Sequence, residues 1–255
     1  MMFVDSHCHL EMESYKADRD AVIQKCIDEG MQYVLTVGTE ESYFPAVVEL
    51  VDKYTFIYGA VGIHPHNAAD FNDGTEKAIK KITAHKKIVG YGEVGLDFFK
   101  NYSPRDIQKK IFARQLWLAG TLSLPVIVHS RDAKNETVEI LKSEYPSGHG
   151  VIHCFSYDRA AAKEFLDMGF YISIPGTVTY KTAGALREAV RYIPHERLLA
   201  ETDAPFLTPV PHRGKRNVPW YVKITIAAIA AELKISTERT AGVLRDNFAR
   251  LFLKK

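Results

Sequence analysis

The sequence predicts an α/β protein: a single domain over residues 1–255 folded as a TIM-type (β/α)8 barrel. Three observations carry this expectation. Short β-rich runs alternate with longer helical segments from one end of the chain to the other, eight times over. Several of the runs, such as Pro125-Val126-Ile127-Val128, are nearly continuous apolar stretches, as parallel strands covered on both faces require. Eight alternations in 255 residues average about 32 residues per unit, which suits a closed barrel of this kind.

In chain order the expected strands are Phe3–His9, Tyr33–Gly38, Phe56–Ile63, Ile88–Glu93, Pro125–His129, Gly150–His153, Phe170–Ile174 and Arg197–Asp203. Among the clearer helix starts between them is Ser103-Pro104-Arg105-Asp106. There serine is expected as the N-cap, proline at the first helical position and an acid three residues after the cap. The helix that follows carries Ile107, Ile111, Leu118 and Leu122 close to one face. Gly30, Gly120 and Gly169 fall where a helix is expected to stop before the next strand. Ile224–Ala231 is the longest apolar-rich stretch and reads as a buried helix, far short of the roughly 20 residues of a membrane span. A doubly wound open sheet is the competing architecture, but no G-x-G-x-x-G follows the first strand, and no Gly-, Pro- or Ser-rich linker divides the chain.

Composition narrows the class. Hydrophobic content of 46% and charged content of 25% match an ordinary soluble domain. A net charge of +2 announces no polyanionic partner, so any basic surface must be local. Cys8, Cys26 and Cys154 form no C-x-x-C pair, which argues against a disulfide framework or zinc ribbon and for a reducing cytoplasm. Asp5 interrupts the N-terminus before an apolar segment can form, so no secretory signal is expected.

The polar residues fall where a barrel places its chemistry. In Phe3-Val4-Asp5-Ser6-His7-Cys8-His9, residues i and i+2 of a strand share a face. His7 and His9 therefore project together, their Cα atoms about 6.6 Å apart, and Cys8 projects away. Such a pair is by itself a weak signal. Further on, strand three runs into His64 and His66, strand four ends in Glu93, strand five in His129, strand six in His153, and strand eight in Glu201 and Asp203. Six of the ten histidines thus map to the carboxyl ends of the strands, the rim on which barrel active sites form. One histidine or glutamate at a strand end is more often a hydrogen-bonded loop residue; their coincidence points to a site. Cys8 and Cys154 read as buried spacers facing the helices, and His85, His149 and His195 as surface residues. A carboxylate at Glu93, following the apolar stretch Ile88–Tyr91, is costly to bury without a cation or several donors. Taken together, His7, His9, Glu93, His129, His153 and Asp203 form the ligand set of a two-metal site. Two divalent ions about 4 Å apart bind an attacking oxygen and stabilise charge on a phosphate or carbonyl. Glu93 is the expected bridge, and Asp203 the expected ligand and proton acceptor. Glu201 is expected beside Asp203 as a supporting partner or additional ligand.

With these motifs, and with Pro211-His212-Arg213-Gly214-Lys215-Arg216-Asn217, the chain resembles the TatD family of metal-dependent deoxyribonucleases over essentially its whole length. That family is a branch of the amidohydrolase-like hydrolases. The resemblance implies a distorted (β/α)8 barrel, the same six ligands, and hydrolysis of nucleic-acid phosphodiesters. Members are described as 3′→5′ exonucleases on DNA, some acting on RNA or abasic sites. Two departures bear on the cleft: Tyr157 stands where the family commonly has glycine, and Pro175 lies in a loop that is often serine-rich.

On the substrate side, His212, Arg213, Lys215 and Arg216 crowd around Gly214, a composition suited to close approach of phosphate and guanidinium contacts. The plainer reading is a solvated basic turn. Arg131 is a further phosphate-clamp candidate, His64 and His66 are candidates for the scissile or terminal phosphate, and Tyr157 or Phe98 for base stacking. So small a basic cluster suits single-stranded DNA or 3′ ends, with RNA as a further substrate, rather than a long duplex. No membrane or obligate protein partner is indicated. The family is usually described as Mg2+-dependent, whereas four histidines favour Zn2+ or Mn2+. The expectation is a nitrogen-rich site at His7 and His9 holding a tight transition metal, beside an oxygen-richer site that exchanges. Competing readings are a small-molecule ester, lactone or amide hydrolase on the same barrel, a D-aminoacyl-tRNA deacylase, and a binding protein on an inert barrel.

Overall fold

A computed structural model describes residues 2–146 and 148–253; residues 1, 147, 254 and 255 of the expected 1–255 unit lie outside the described residues. The strands are β1 Phe3–Cys8, β2 Met31–Gly38, β3 Ile57–Val61, β4 Ile88–Asp97, β5 Val126–Arg131, β6 Gly150–Ile152, β7 Tyr171–Ile174 and β8 Leu198–Ala200. They form one parallel sheet in sequential order, the TIM-type barrel expected from the alternation. The helices are α1 Arg19–Asp28, α2 Phe44–Lys53, α3 Asp73–Ile82, α4 Arg105–Leu122, α5 Lys134–Glu144, α6 Arg159–Asp167, α7 Gly184–Tyr192, α8 Val222–Leu233 and α9 Thr237–Phe248. No helix among the described residues is long and apolar enough to cross a membrane.

Seven neighbouring strand pairs form ladders, with local register shifts at β1–β2, β3–β4 and β4–β5, and the eighth junction is a seam. Between β8 and β1 the backbones meet in one isolated bridge, Cys8 to Ala204. Side chains supply much of the remaining closure. The Asp5 carboxylate accepts from Thr202 N (2.9 Å) and Thr202 Oγ1 (2.5 Å), and Ser6 Oγ donates to the Ala200 carbonyl (3.0 Å). This explains why β8 stops at Ala200 rather than at the expected Asp203: beyond it, the donors of Thr202 are taken by a side chain.

The apolar core has two parts. One lies between sheet and helices. The other fills the barrel, where Val4, Leu35, Ala60, Ile127, Val151 and Leu199 meet Phe248, Leu251 and Phe252 from the C-terminal segment. That segment plugs the barrel, and each such side chain contributes about 1.5–3 kcal/mol by leaving water. The polar rim is therefore supported from below by an apolar core.

Two boundary expectations are corrected. α4 is preceded by Pro104 as N-cap, not Ser103; the Ser103 hydroxyl instead donates to His66 O (2.8 Å) and accepts from Ala69 N (3.2 Å), tying the loop after β3 to α4. Gly120 lies inside α4, which ends at Ser123 in the left-handed conformation (φ +54°). Gly30 and Gly169 do follow helix ends, at φ +78° and +90°.

Candidate metal centre

Local irregularities aim the polar side chains inward. The β1–β2 register shifts between Asp5 and Cys8. Cys8 joins the helix-side core while the rings of His7 and His9 meet at 4.9 Å between centroids. Glu93 lies within the register shift between Tyr91 and Val94 where β4 pairs with β5, and such bulges re-aim side chains. Two residues on, Gly95 adopts φ +143°, and a Cβ there would stand 1.9 Å from the His129 carbonyl oxygen. Only glycine lets β4 approach β5 this closely. Cys154 and Asp203 hold left-handed backbones (φ +48° and +54°) just after His153 and Thr202, a conformation that costs a non-glycine residue of order 1 kcal/mol or more.

Glu93 is the centre of the arrangement. Its Oε2 lies 3.4 Å from His7 Nε2 and 4.0 Å from His9 Nε2. Its Oε1 lies 2.6 Å from His129 Nδ1, 3.1 Å from His153 Nε2 and 3.5 Å from His64 Nε2. Asp203 Oδ1 completes the first group, 3.3 Å from His9 Nε2 and 3.9 Å from His7 Nε2, and the two Nε2 atoms are 3.3 Å apart. Ligand atoms about 2.1 Å from a tetrahedral ion lie about 3.4 Å from one another. The first group has that size and a donor set of two imidazoles and two carboxylates, so these residues fit a divalent transition metal. Around Glu93 Oε1, His64 and His129 form a second compact set with ligand atoms all within 4.8 Å of one another, whereas the compact set that holds His153 is made with His7 and Asp203.

Three further carboxylates hold the far sides of the rings. Glu11 Oε1 lies 3.2 Å from His9 Nδ1, Asp97 Oδ2 3.2 Å from His129 Nε2, and Glu201 Oε1 3.0 Å from His153 Nδ1. The Glu201 contact is close in distance but not aligned as a hydrogen bond, and His153 Nδ1 and Glu201 Oε2 are left without hydrogen-bond partners. Such outer carboxylates orient metal-binding imidazoles and raise their basicity. Glu11 and Asp97 were missed by sequence reasoning, although Asp97 lies in the Gly92–Asp97 motif and Glu11 two residues beyond His9. The i+2 and i+4 spacings were the only signals for them.

The electrostatics follow from burial and these contacts. Burial raises the Glu93 carboxyl, but His153, His64 and His129 around it outweigh that and hold it well below the ordinary range. Burial pulls His7 down to about 3, helped by His153, whose ring stacks on it at 3.7 Å. His64 is also lowered, chiefly by burial. Burial opposes charge on His9, His129 and His153 too, yet their carboxylate neighbours raise all three.

The remaining candidates scatter. His66 Nε2 pairs with Asp97 Oδ2 at 3.0 Å. The Arg131 guanidinium sits 4.0 Å over the Phe99 ring, and that of Arg213 4.5 Å over Tyr180. Lys215 is exposed. Arg216 is committed elsewhere, with its two terminal nitrogens 2.9 and 2.6 Å from the Asp18 carboxylate. Two readings need correction. Cys154 is not a buried spacer but partly exposed, with Sγ within 4.8 Å of ligand-type atoms on His153 and Glu201. Phe98 is buried, and Tyr157 is partly buried against the core with its hydroxyl at Ser130 Oγ (2.9 Å), so both rings are taken up by packing.

Residues 4–253 match the family model described as TatD related DNase. The chain is 42% identical to the uncharacterized metal-dependent hydrolase YabD of Bacillus subtilis, over 98% of this chain and 99% of that protein. It is 40% identical to the uncharacterized metal-dependent hydrolase YcfH of Escherichia coli, over 99% and 96%. Among solved structures, YjjV, a TatD homologue from Escherichia coli, superposes with a TM-score of 0.92 at 30% identity, covering 99% of this chain and 98% of that one.

Proposed function

The chain belongs to the TatD-related DNase family of metal-dependent hydrolases, and from that premise we propose that it hydrolyses nucleic-acid phosphodiesters, as a 3′→5′ exonuclease on single-stranded DNA. The observation that carries the reading is Glu93, with one carboxylate oxygen in each of two imidazole groups. A small-molecule amide or lactone hydrolase that bridges its metals through a carbamylated lysine would need that lysine here, and β4 contains none.

His7, His9 and Asp203 would hold one divalent ion, His129 and His153 the other, with Glu93 shared between them. Bound there, such a pair supplies an activated water and neutralises charge on the phosphate. Zn2+ or Mn2+ suits the imidazole-rich donors, and Mg2+ a more exchangeable position. The side chains do the rest. Asp203, with a side chain 13% exposed against 4% for Glu93, is the accessible carboxylate placed to take the proton of the attacking water. Glu201 supports the His153 ring from behind. His64 Nδ1 accepts from His66 N (3.1 Å), so its proton sits on Nε2, which faces Glu93 Oε1 at 3.5 Å and would be shared with an incoming phosphate oxygen rather than ligate an ion. His66, Arg131, Arg213 and Lys215 add positive or donor groups along the rim.

The test uses 5′-labelled single-stranded DNA with metal-loaded protein, beside Glu93→Gln and Asp203→Asn. Wild type should shorten the strand stepwise from its 3′ end, and each variant should be slower by about 100-fold or more. Intact DNA together with turnover of small esters would overturn the proposal.

A further inference from the structure

Beside the candidate metal centre, the loop between β4 and α4 forms a wall to which the hydrolytic residues give no task. Its base is Asp97. While Oδ2 faces His129 and His66, Oδ1 accepts the backbone N–H groups of Phe99 (3.0 Å) and Lys100 (2.8 Å). One side chain thus fixes the loop directly to the centre. From that anchor two aromatic rings stand out into solvent, Phe99 at 54% and Tyr102 at 67% exposure. The Tyr102 ring meets His66 edge-on at 4.7 Å, the Lys100 ammonium lies 5.7 and 5.9 Å from the Phe99 and Tyr102 rings, and Arg131 caps Phe99.

Exposed rings beside cations are also an ordinary surface feature. Trp117 with Arg114 at 4.3 Å, about 18 Å along α4 from its start, is an example. The distribution separates the two cases. Among the described residues four aromatic side chains are exposed, and Phe99, Tyr102 and Phe206 all lie on loops of the catalytic rim, Phe206 with its ring 6.1 Å from that of His9. Exposing large apolar rings next to a polar centre gains nothing for folding, and stacking platforms with interleaved cations are how unpaired nucleic acid is held without reading sequence.

We propose that Phe99 and Tyr102 form a nucleobase-stacking subsite. The unpaired base next to the scissile phosphate lies against these rings, and Lys100 and Arg131 take the adjoining phosphate. The inference rests on the nucleic-acid reading above, and it narrows the substrate to ends whose bases are free to leave the stack. Selection comes from the presence of a base, not its identity.

The experiment measures binding, by fluorescence anisotropy, of the metal-loaded protein to a short single strand carrying hydrolysis-resistant phosphorothioate linkages at its 3′ end. A matched strand replaces the 3′-terminal nucleotide by an abasic sugar. Wild type should bind the intact strand about 5-fold or more tightly than the abasic one. The double variant Phe99→Leu/Tyr102→Leu should bind both equally, and Trp117→Leu should match wild type. Base discrimination that survives in the double variant, or no discrimination by wild type, overturns the subsite. Cleavage of an ordinary phosphodiester strand is scored separately. Wild type that discriminates the base yet cleaves no strand refutes the hydrolytic reading and leaves the subsite standing.

Discussion

Replacing Asp97 by asparagine alters one atom and is expected to disable His129 as a ligand. Asp97 Oδ1 accepts two backbone N–H groups, those of Phe99 and Lys100, at 3.0 and 2.8 Å. In Asp97→Asn the amide oxygen must stay there, which puts the amino group where Oδ2 was, 3.2 Å from His129 Nε2 and 3.0 Å from His66 Nε2. An amino group donates and cannot accept. His129 Nε2 must then become the acceptor, and the ring proton moves to Nδ1, the atom 2.6 Å from Glu93 Oε1 that a cation requires unprotonated. Loss of such an outer carboxylate costs about 10- to 100-fold in metal affinity, equivalent to about 1.4–2.7 kcal/mol. Equilibrium dialysis against Zn2+ or Mn2+ with a competing chelator reads the affinity, and 15N spectra of histidine-labelled protein read the tautomer. A thermal melt establishes that the variant is folded. Affinity within about 3-fold of wild type, or a His129 proton still on Nε2, would refute the reasoning.

Three more expectations follow from particular contacts. Asp5→Ala removes the acceptor of Thr202 N and Oγ1 at the barrel seam and leaves buried donors unpaired, for a loss of about 3–5 kcal/mol; at about 2–4 °C per kcal/mol the melting temperature should drop by about 10 °C, and a drop under about 3 °C argues against the seam. Metal uptake should release protons and tighten with pH, because His9, His129 and His153 are raised above the ordinary 6.5 by their carboxylates and a cation needs them neutral. In the metal-free protein the stability from the same contacts is fully present below pH 6.5 and is lost as pH rises through the raised values; titration in weakly buffered solution reads the protons, and affinity flat from about pH 6 to 8 contradicts the shifts. Arg213→Ala should weaken oligonucleotide binding and flatten its log–log salt slope by about 1, whereas Arg216→Ala should leave both unchanged, since its guanidinium is held by Asp18; the opposite ranking would return Arg216 to the substrate.

How much of this was legible in the chain depends on the range of the interaction concerned. Period-two alternation places His7 and His9 on one face and Cys8 on the other, and the structure keeps that arrangement even across a register shift. Continuous apolar runs announce parallel strands, and all eight appear. The end of β8 was not legible, because Asp5, nearly two hundred residues earlier, takes the donors that would have prolonged it. Ser103 followed by Pro104 has the composition of a cap, but its hydroxyl is drawn to the loop after β3. Phe98 and Phe99 are alike in sequence; one turns into the core and its neighbour stands in solvent.

By itself the sequence determined the alternating βα architecture and the gathering of histidines and carboxylates on one rim, since both follow from short-range periodicity and the common direction of parallel strands. Only the tertiary structure decided which oxygen of Glu93 faces which imidazoles, that Glu11, Asp97 and Glu201 stand behind three of the rings, and that Arg216 is spoken for by Asp18. Those are contacts between segments far apart in the chain, and their geometry depends on bulges, close glycine contacts and seam closure, which local pattern does not encode.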